Sequence, residues 1–234
     1  MNTKNVLLTG SKKGIGLAIY SELKHRGYRV FGCGRSKSDD GDYLSIDLGD
    51  PKNAKTLYDC AKEAMGSVDI LINNAGIYMY SPIENTKPQE LLNLINLNFV
   101  TPQLLCSYVV SDMKKNLWGR IINIGSISGS VGEAYASAYS AAKAGLLGLT
   151  KSLALELAPY NITVNQINPG WVDTNLAQDA LNDEEKKETI DIIPQKRFIE
   201  PYEIAKLCSY LISDDAKGLT GQGINLCAGL SCGA

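Results

Sequence analysis

The sequence predicts an α/β protein: a single domain over residues 1–234, built as a doubly wound parallel sheet with helices on both faces. Three observations predict it. Short runs of aliphatic and β-branched residues alternate with amphipathic helical stretches along the whole chain, and no segment repeats. The first of these runs passes through a glycine-rich turn directly into a helix. No Pro- or Ser-rich linker divides the 234 residues, so one large core is the simpler reading.

Val6-Leu7-Leu8 reads as a strand buried on both faces. Thr9-Gly10-Ser11-Lys12-Lys13-Gly14-Ile15-Gly16 then turns into a helix with apolar positions Ile15, Leu17, Ala18, Ile19 and Leu23. In such a turn Gly10 permits the tight bend, Gly14 lets backbone approach a phosphate, and Gly16 allows helix to pack closely on strand. The free amides of the helix start attract an anion. Three glycines alone also mark any ordinary strand-to-helix turn. His25 precedes Arg26-Gly27, where the helix should stop, and suits a helix C-terminus.

Tyr28 to Gly34 is the second strand. Where dinucleotide-binding folds place an acid for a ribose hydroxyl, this chain has Arg35. Together with Lys12 or Lys13 it suits a 2′-phosphate, which points to NADP(H) over NAD(H). The competing reading makes Arg35, Lys37 and Asp39-Asp40 a solvated loop. Only a short polar segment precedes the third strand, Tyr43-Leu44-Ser45-Ile46, so the usual crossover helix should be cut down or missing. Asp47-Leu48 closes that strand, and Asp50-Pro51 starts a helix running to about Met65.

Val68 to Ile72 is the fourth strand, ending in Asn73-Asn74-Ala75-Gly76, small residues past which a cofactor can lie close. One long helix is expected from about Gln89 to Lys115, distorted at Pro102. Asn98 lies inside it, and a mid-helix Asn needs a reason, of which packing is the plain one. Arg120 to Ile124 is a strand ending in Gly125-Ser126, followed by a helix that ends near Pro159. Ile162 to Ile167 is the sixth strand, stopped by Asn168-Pro169-Gly170 at its carboxyl end, where ligands bind in such sheets. The least regular stretch, 171–198, reads as a substrate lid, with a solvated helix in its charged run Asp183-Glu184-Glu185-Lys186-Lys187-Glu188. Pro201 to Ile212 is an amphipathic helix and Gly223 to Cys227 the last strand.

Within this frame Tyr139 and Lys143 stand one helical turn apart and share a face. The same spacing recurs at Tyr20/Lys24, Tyr58/Lys62 and Tyr202/Lys206, so spacing alone decides nothing. Context separates them: only Tyr139 follows a strand that ends in a Gly/Ser-rich loop, which can bring Ser126 beside the phenol. The other three lie in charge-bearing helices and read as solvated faces. Composition narrows the field further. A net charge of −2 with no basic block points away from nucleic acid and anionic membranes. The few residues before the first strand are too short for a signal sequence or spanning helix, so a soluble, cytoplasmic protein is expected. Six scattered cysteines without a Cys-x-x-Cys pair read as free thiols, and a single histidine leaves no His-paired nucleophile and no multi-histidine metal site.

Assembled in order, these motifs resemble the short-chain dehydrogenase/reductase family over essentially the whole chain. They are the Thr9-Gly10/Gly14-Ile15-Gly16 turn, Asp47-Leu48, Asn73-Asn74-Ala75-Gly76, Asn98, Ser126, Tyr139/Lys143 and Pro169-Gly170-Trp171-Val172-Asp173-Thr174. Later segments are similar to the branch containing the 3-oxoacyl-carrier-protein reductases. The resemblance implies a Rossmann-type fold, a bound NADP(H), and hydride exchange between a carbonyl and a secondary alcohol. Tyr139 is then the acid or base, with its phenol pKa lowered from about 10 by Lys143 and a cationic nicotinamide. Lys143 also holds the nicotinamide ribose, Ser126 the substrate oxygen, and Asn98 a water relaying protons to Lys143. Backbone near Val172 holds the carboxamide and Thr174 the pyrophosphate. Asp47, Leu48, Asn74, Ala75, Gly76, Pro169 and Gly170 complete the cofactor groove.

The family further implies a homo-oligomer, a tetramer or dimer, built through the Asn98 and Tyr139 helices and the last strand. The departures, a short segment after Arg35 and an unusual tail from Ala228 to Ala234, are expected to lie away from the chemistry. Tyr78, Glu133, Tyr135 and Trp171 are candidate substrate contacts or, equally, core and subunit contacts. The substrate is a 3-oxoacyl thioester, or else a small ketone, keto-sugar or polyol. Docking of an acidic carrier protein is disfavoured by Tyr160, where such reductases often carry a basic residue. A cofactor-sensing protein without chemistry would be expected to lack Ser126, Tyr139 or Lys143, and all are present. A hydrolase using Ser126 lacks a histidine partner.

Overall fold

The computed structural model describes residues 3–38, 40–174 and 182–232. Seven strands make one sheet in the order β3-β2-β1-β4-β5-β6-β7. They are β1 (Asn5–Thr9), β2 (Arg29–Gly34), β3 (Tyr43–Ser45), β4 (Ile70–Asn73), β5 (Gly119–Ile124), β6 (Ile162–Pro169) and β7 (Gly223–Leu226). Every pairing is parallel. The chain winds outward from β1 to β3, then returns to the other side of β1 with β4. The direction of winding therefore reverses between β1 and β4, which opens a crevice at their carboxyl ends.

Strand side chains alternate between two apolar layers. Val6, Leu8, Ile70 and Ile72 join Ile19 and Leu23 of α1 (Gly14–His25) and Ile204, Cys208 and Leu211 of the helix Pro201–Leu211. Leu7 and Leu71 point the other way, onto Leu57 of α2 (Asn53–Met65), Leu105 and Val109 of α4 (Thr101–Asn116), and Leu157 of α6 (Ser137–Leu157). Each such side chain is worth about 1.5–3 kcal/mol when fully buried. Burial on both faces explains why the strands read as unbroken apolar runs.

Among the described residues no helix joins β2 to β3, as expected from the short segment. The connection is instead fastened by a two-point Arg29–Asp42 ion pair and by the Tyr43 hydroxyl donating to the Ser36 carbonyl. The long helix expected from Gln89 is two helices, α3 (Pro88–Ile95) and α4, joined by a π-turn at Asn96–Val100. Pro102 is the cause: it has no N–H for the carbonyl four residues back, that of Asn98, so the distortion falls on the turn before it. The stretch Pro88–Asn116 is long and apolar enough to cross a membrane by length and composition alone, but Leu94, Leu105, Val109 and Met113 are buried in the domain.

The remaining helices are α5 (Ser128–Val131), a single turn, α7 (Asp183–Ile192), and α8 (Pro201–Leu211). The acidic run forms α7 as read, started by Asn182, whose side chain accepts from the Glu184 and Glu185 amides. Residues 175–181 of the expected lid lie outside the described residues. At the amino end of β5 the Arg120 guanidinium, 1% exposed, pairs with Asp214 and lies over the Trp118 ring. One expectation needs correction: Tyr58 is no solvated residue. Its ring is buried between α2 and α4, and only its hydroxyl reaches Asp112 and Lys62.

Candidate active site

A cleft of about 550 Å³ opens at the carboxyl ends of β4, β5 and β6. One wall comes from the glycine turn. Gly10 and Gly14 have φ of +70° and +49°, the left-handed region that favours glycine. A methyl on Gly16 would lie 1.9 Å from the Gly10 carbonyl oxygen, so α1 rests directly on the turn. Lys13 caps α1 without a side-chain bond, and the first turn holds no acid, which leaves the Gly14-Ile15-Gly16 amides available to an anion. Ser11 instead gives its amide to the Cys33 carbonyl and turns its hydroxyl onto Gly32. Asn74 is a brace: its side chain donates to the Thr9 and Gly10 carbonyls, while the Asn74 and Ala75 amides donate to the Thr9 hydroxyl. Thr174 meets the turn at Gly14, where an added methyl would touch its Cγ2 at 3.2 Å.

Arg35 leaves β2 beside the glycine turn, because Cys33 pairs with Thr9. Lys12 lies over the Tyr43 ring at 4.6 Å and Lys13 is exposed. Asp47 is exposed, and Leu48 is buried with its carbonyl accepting from Thr101. None of these five residues is among those that line the cleft. Pro169, Gly170, Trp171 and Val172 form the opposite wall of the cleft.

On α6, Tyr139 and Lys143 face the cleft together with Ser126 from the end of β5. Close contact between α5 and α6 sets this arrangement: a methyl on Gly129 would sit 2.7 Å from the Lys143 carbonyl carbon. Lys143 is buried, and its ammonium donates to the Ile124 carbonyl at 2.8 Å, 5.5 Å from the Tyr139 ring centre. Burial pushes Lys143 down to about 8. Burial also pushes the Tyr139 phenol up to about 12; the Ser126 hydroxyl favours the phenolate and the Glu133 carboxylate opposes it. The expected lowering of the phenol is therefore not a property of the protein alone, since desolvation outweighs the favourable contact.

Asn98 is fully buried, and its amide is committed to the backbone: it donates to the Ile77 carbonyl at 2.7 Å and accepts from the Ile77 amide at 3.0 Å. The side chain is thus a clamp on the segment after Gly76. A methyl on Gly76 would lie 2.7 Å from the Asn98 oxygen and 3.7 Å from Lys143 Nζ. Of the substrate candidates, Tyr78, Glu133 and Trp171 line the cleft. Tyr135 does not: with φ of +63° it points outward, toward Tyr80, and lines a separate hollow with Ser81, Pro82 and Ile83.

Among the lining residues that escaped the sequence reading, two bear on the site's chemistry and shape. Ser128, in the single turn α5, lies 3.0 Å from the Ser126 hydroxyl. Leu230 brings the tail into the cleft, so the tail does not lie away from the site. Cys33, Cys106 and Cys208 are free thiols pushed up to about 12 by burial and stay protonated.

The family model described as Enoyl-(Acyl carrier protein) reductase matches residues 10–231. The chain is 37% identical over 240 residues to the 3-oxoacyl-[acyl-carrier-protein] reductase FabG of Haemophilus influenzae, covering 98% of this chain and 99% of that protein. It is 35% identical over 237 residues to FabG of Vibrio cholerae, covering 97% of each. Among solved structures, ligand-free Thermoplasma acidophilum aldohexose dehydrogenase (AldT) matches with a TM-score of 0.93 and 29% identity, covering 99% of this chain and 95% of that one.

Proposed function

Because the chain belongs to the short-chain dehydrogenase/reductase family, we propose that this oxidoreductase is an NADP(H)-dependent enzyme interconverting a carbonyl compound and a secondary alcohol. Ser126, Tyr139 and Lys143 are its catalytic residues and Asn98 is the positioning residue of the same tetrad, acting in the cytoplasm on a small molecule. The observation that carries this reading is the gathering of a hydroxyl, a phenol and a buried ammonium at one end of a cleft whose other wall is a glycine cradle. That cradle fits a dinucleotide: the Gly14-Ile15-Gly16 amides would hold the pyrophosphate, with Thr174 beside them. When bound, the reduced nicotinamide supplies a hydride to the carbonyl carbon.

The chain's own groups manage the proton. Ser126 donates its hydroxyl to the carbonyl oxygen, and Tyr139 gives that oxygen its phenolic proton as negative charge develops there. Lys143 offsets the charge left on the phenolate. Asn98 holds Gly76 and Ile77 in place beneath the site. Alcohol oxidation reverses these steps. The relatives' names supply two substrate readings, a 3-oxoacyl thioester and an aldohexose.

The test is NADPH and NADH oxidation by the purified protein with acetoacetyl thioesters, keto-sugars, diketones and plain ketones. Tight NADPH binding without turnover of any class would favour a cofactor sensor instead. Within the same assay, Arg35→Asp is expected to lower the NADPH-to-NADH ratio of kcat/KM by about 10–100-fold, the worth of one charge-assisted phosphate contact. An unchanged ratio would remove Arg35 from the phosphate site. A homo-oligomer is the expected assembly, with apolar surface offered by Leu92 on α3 and Leu155 on α6, which are 54% and 81% exposed. A monomeric mass by light scattering would count against it.

A further inference from the structure

Glu133 stands in the cleft wall as a carboxylate with two hydroxyls already turned toward it. The Tyr78 hydroxyl donates to Oε1 at 2.5 Å, and the Ser128 hydroxyl donates to Oε2 at 2.6 Å. Ser128 Oγ in turn lies 3.0 Å from Ser126 Oγ, whose oxygen also accepts the Ser128 amide. The carboxylate is therefore two hydrogen bonds away from the hydroxyl that holds the reacting oxygen.

The direction of these bonds is set by chemistry. An ionised carboxylate only accepts, so Tyr78 and Ser128 must each give it their proton. What this cluster then presents to the cleft is a set of oxygen lone pairs, because each carboxylate oxygen can accept about two bonds and has one filled by protein. Such a surface calls for donors on the ligand. A ligand hydroxyl supplies them. An acyl chain laid along the same wall would strip water from the carboxylate and return nothing. The wall is held in place: the Tyr78 ring meets the Tyr139 ring edge-on at 5.1 Å between centres. The cleft, at about 550 Å³, has room for a small ligand beside a nicotinamide.

We propose that Glu133, Tyr78 and Ser128 form a hydroxyl-binding subsite beside the carbonyl site, and that the substrate is a small polyhydroxylated carbonyl compound rather than an acyl thioester. The proposal rests on the oxidoreductase reading above and adds the substrate class. Glu133 receives the substrate hydroxyl nearest the carbonyl. With the Ser128 proton on Glu133, the 3.0 Å contact between the two serines uses the Ser126 proton, which must swing from Ser128 Oγ to the carbonyl oxygen when substrate binds.

The experiment compares kcat/KM with NADPH for pairs matched in size: hydroxyacetone against 2-butanone, and a ketohexose against its deoxy analogues. Acetoacetyl thioester and aminoacetone complete the panel. Wild-type enzyme, Glu133→Gln, Glu133→Leu and Tyr139→Phe are run together. The hydroxylated member is expected to be preferred by at least about 100-fold in the wild type, as for sites built to pair a substrate hydroxyl. That preference should fall by at least about tenfold in Glu133→Leu and less in Glu133→Gln, whose amide oxygen still accepts a bond. Preference for the thioester, the plain ketone or the aminoketone overturns the subsite, and so does a hydroxyl preference that survives in Glu133→Leu. Turnover that depends on Tyr139 but ignores the hydroxyl leaves the enzyme standing without the subsite. If no member shows Tyr139-dependent turnover, the oxidoreductase mechanism itself fails and the subsite falls with it.

Discussion

Tyr139→Phe is expected to lower kcat for carbonyl reduction by about 10²–10⁴-fold, the usual contribution of a positioned proton donor. The ring and its contact with Tyr78 remain, so the loss isolates one hydroxyl. NADPH binding, followed by fluorescence, is the control that separates lost chemistry from a lost fold. The wild-type pH profile carries the same argument. In the proposed mechanism, reduction needs the phenol protonated and Lys143 charged. With the phenol pushed up to about 12, the first proton lost on raising the pH is that of Lys143, at about 8. Above this pH kcat/KM for reduction should fall about tenfold per unit, whereas alcohol oxidation, which needs the phenolate, gains as pH rises. A reduction profile that stays level from about pH 7 to 10 would show that Lys143 does not titrate there, against its burial.

Gly16→Ala should damage stability and cofactor binding together. Its new methyl would meet the Gly10 carbonyl oxygen at 1.9 Å, the Gly10 carbonyl carbon at 2.8 Å and the Asn74 amide nitrogen at 2.5 Å. Two of these atoms are backbone and the third belongs to the brace holding the same turn, so α1 must move. Overpacking of this kind costs about 1–3 kcal/mol, or several degrees in Tm at about 2–4 °C per kcal/mol for a domain of this size. The shifted amides should also lose affinity for NADPH. Gly148→Ala in α6 is the matched comparison, because nothing lies within 4 Å of its added methyl. It should be neutral or stabilising by up to about 1 kcal/mol, as Ala favours a helix over Gly. Equal Tm values for the two variants would refute the close packing at Gly16.

Where the geometry of the candidate site was written in local pattern, the sequence was a sufficient guide to it. The glycine turn, the strand ending at Ser126 and the one-turn spacing of Tyr139 and Lys143 each follow from short-range periodicity, and Ile15 of that turn shares one cleft with Ser126, Tyr139 and Lys143. What escaped depends on contacts distant in sequence. Nothing near Asn98 announces that its amide clamps Ile77, 21 residues away. The brace from Asn74 to Thr9 spans 65 residues, and Leu230 reaches the cleft only because β7 lies beside β6. Apolar spacing also ran smoothly through Asn96–Val100, concealing a π-turn that only the missing N–H of Pro102 hinted at. Tyr135 was misplaced for a backbone reason: its positive φ reverses the direction its side chain would otherwise take.

The protein has two tryptophans, and the sheet separates them. Trp118 lies at the amino end of β5 against Arg120, with Lys4 above its ring at 4.0 Å. Trp171 lies at the carboxyl end of the sheet, in the cleft wall and stacked on Phe198. Its intrinsic emission is therefore divided between an indole held under two cations and one facing the site. With Trp118 replaced by Phe, the remaining tryptophan emission, excited at wavelengths where the 12 tyrosines do not absorb, comes from the cleft wall, and its filling can be followed by light without any attached label.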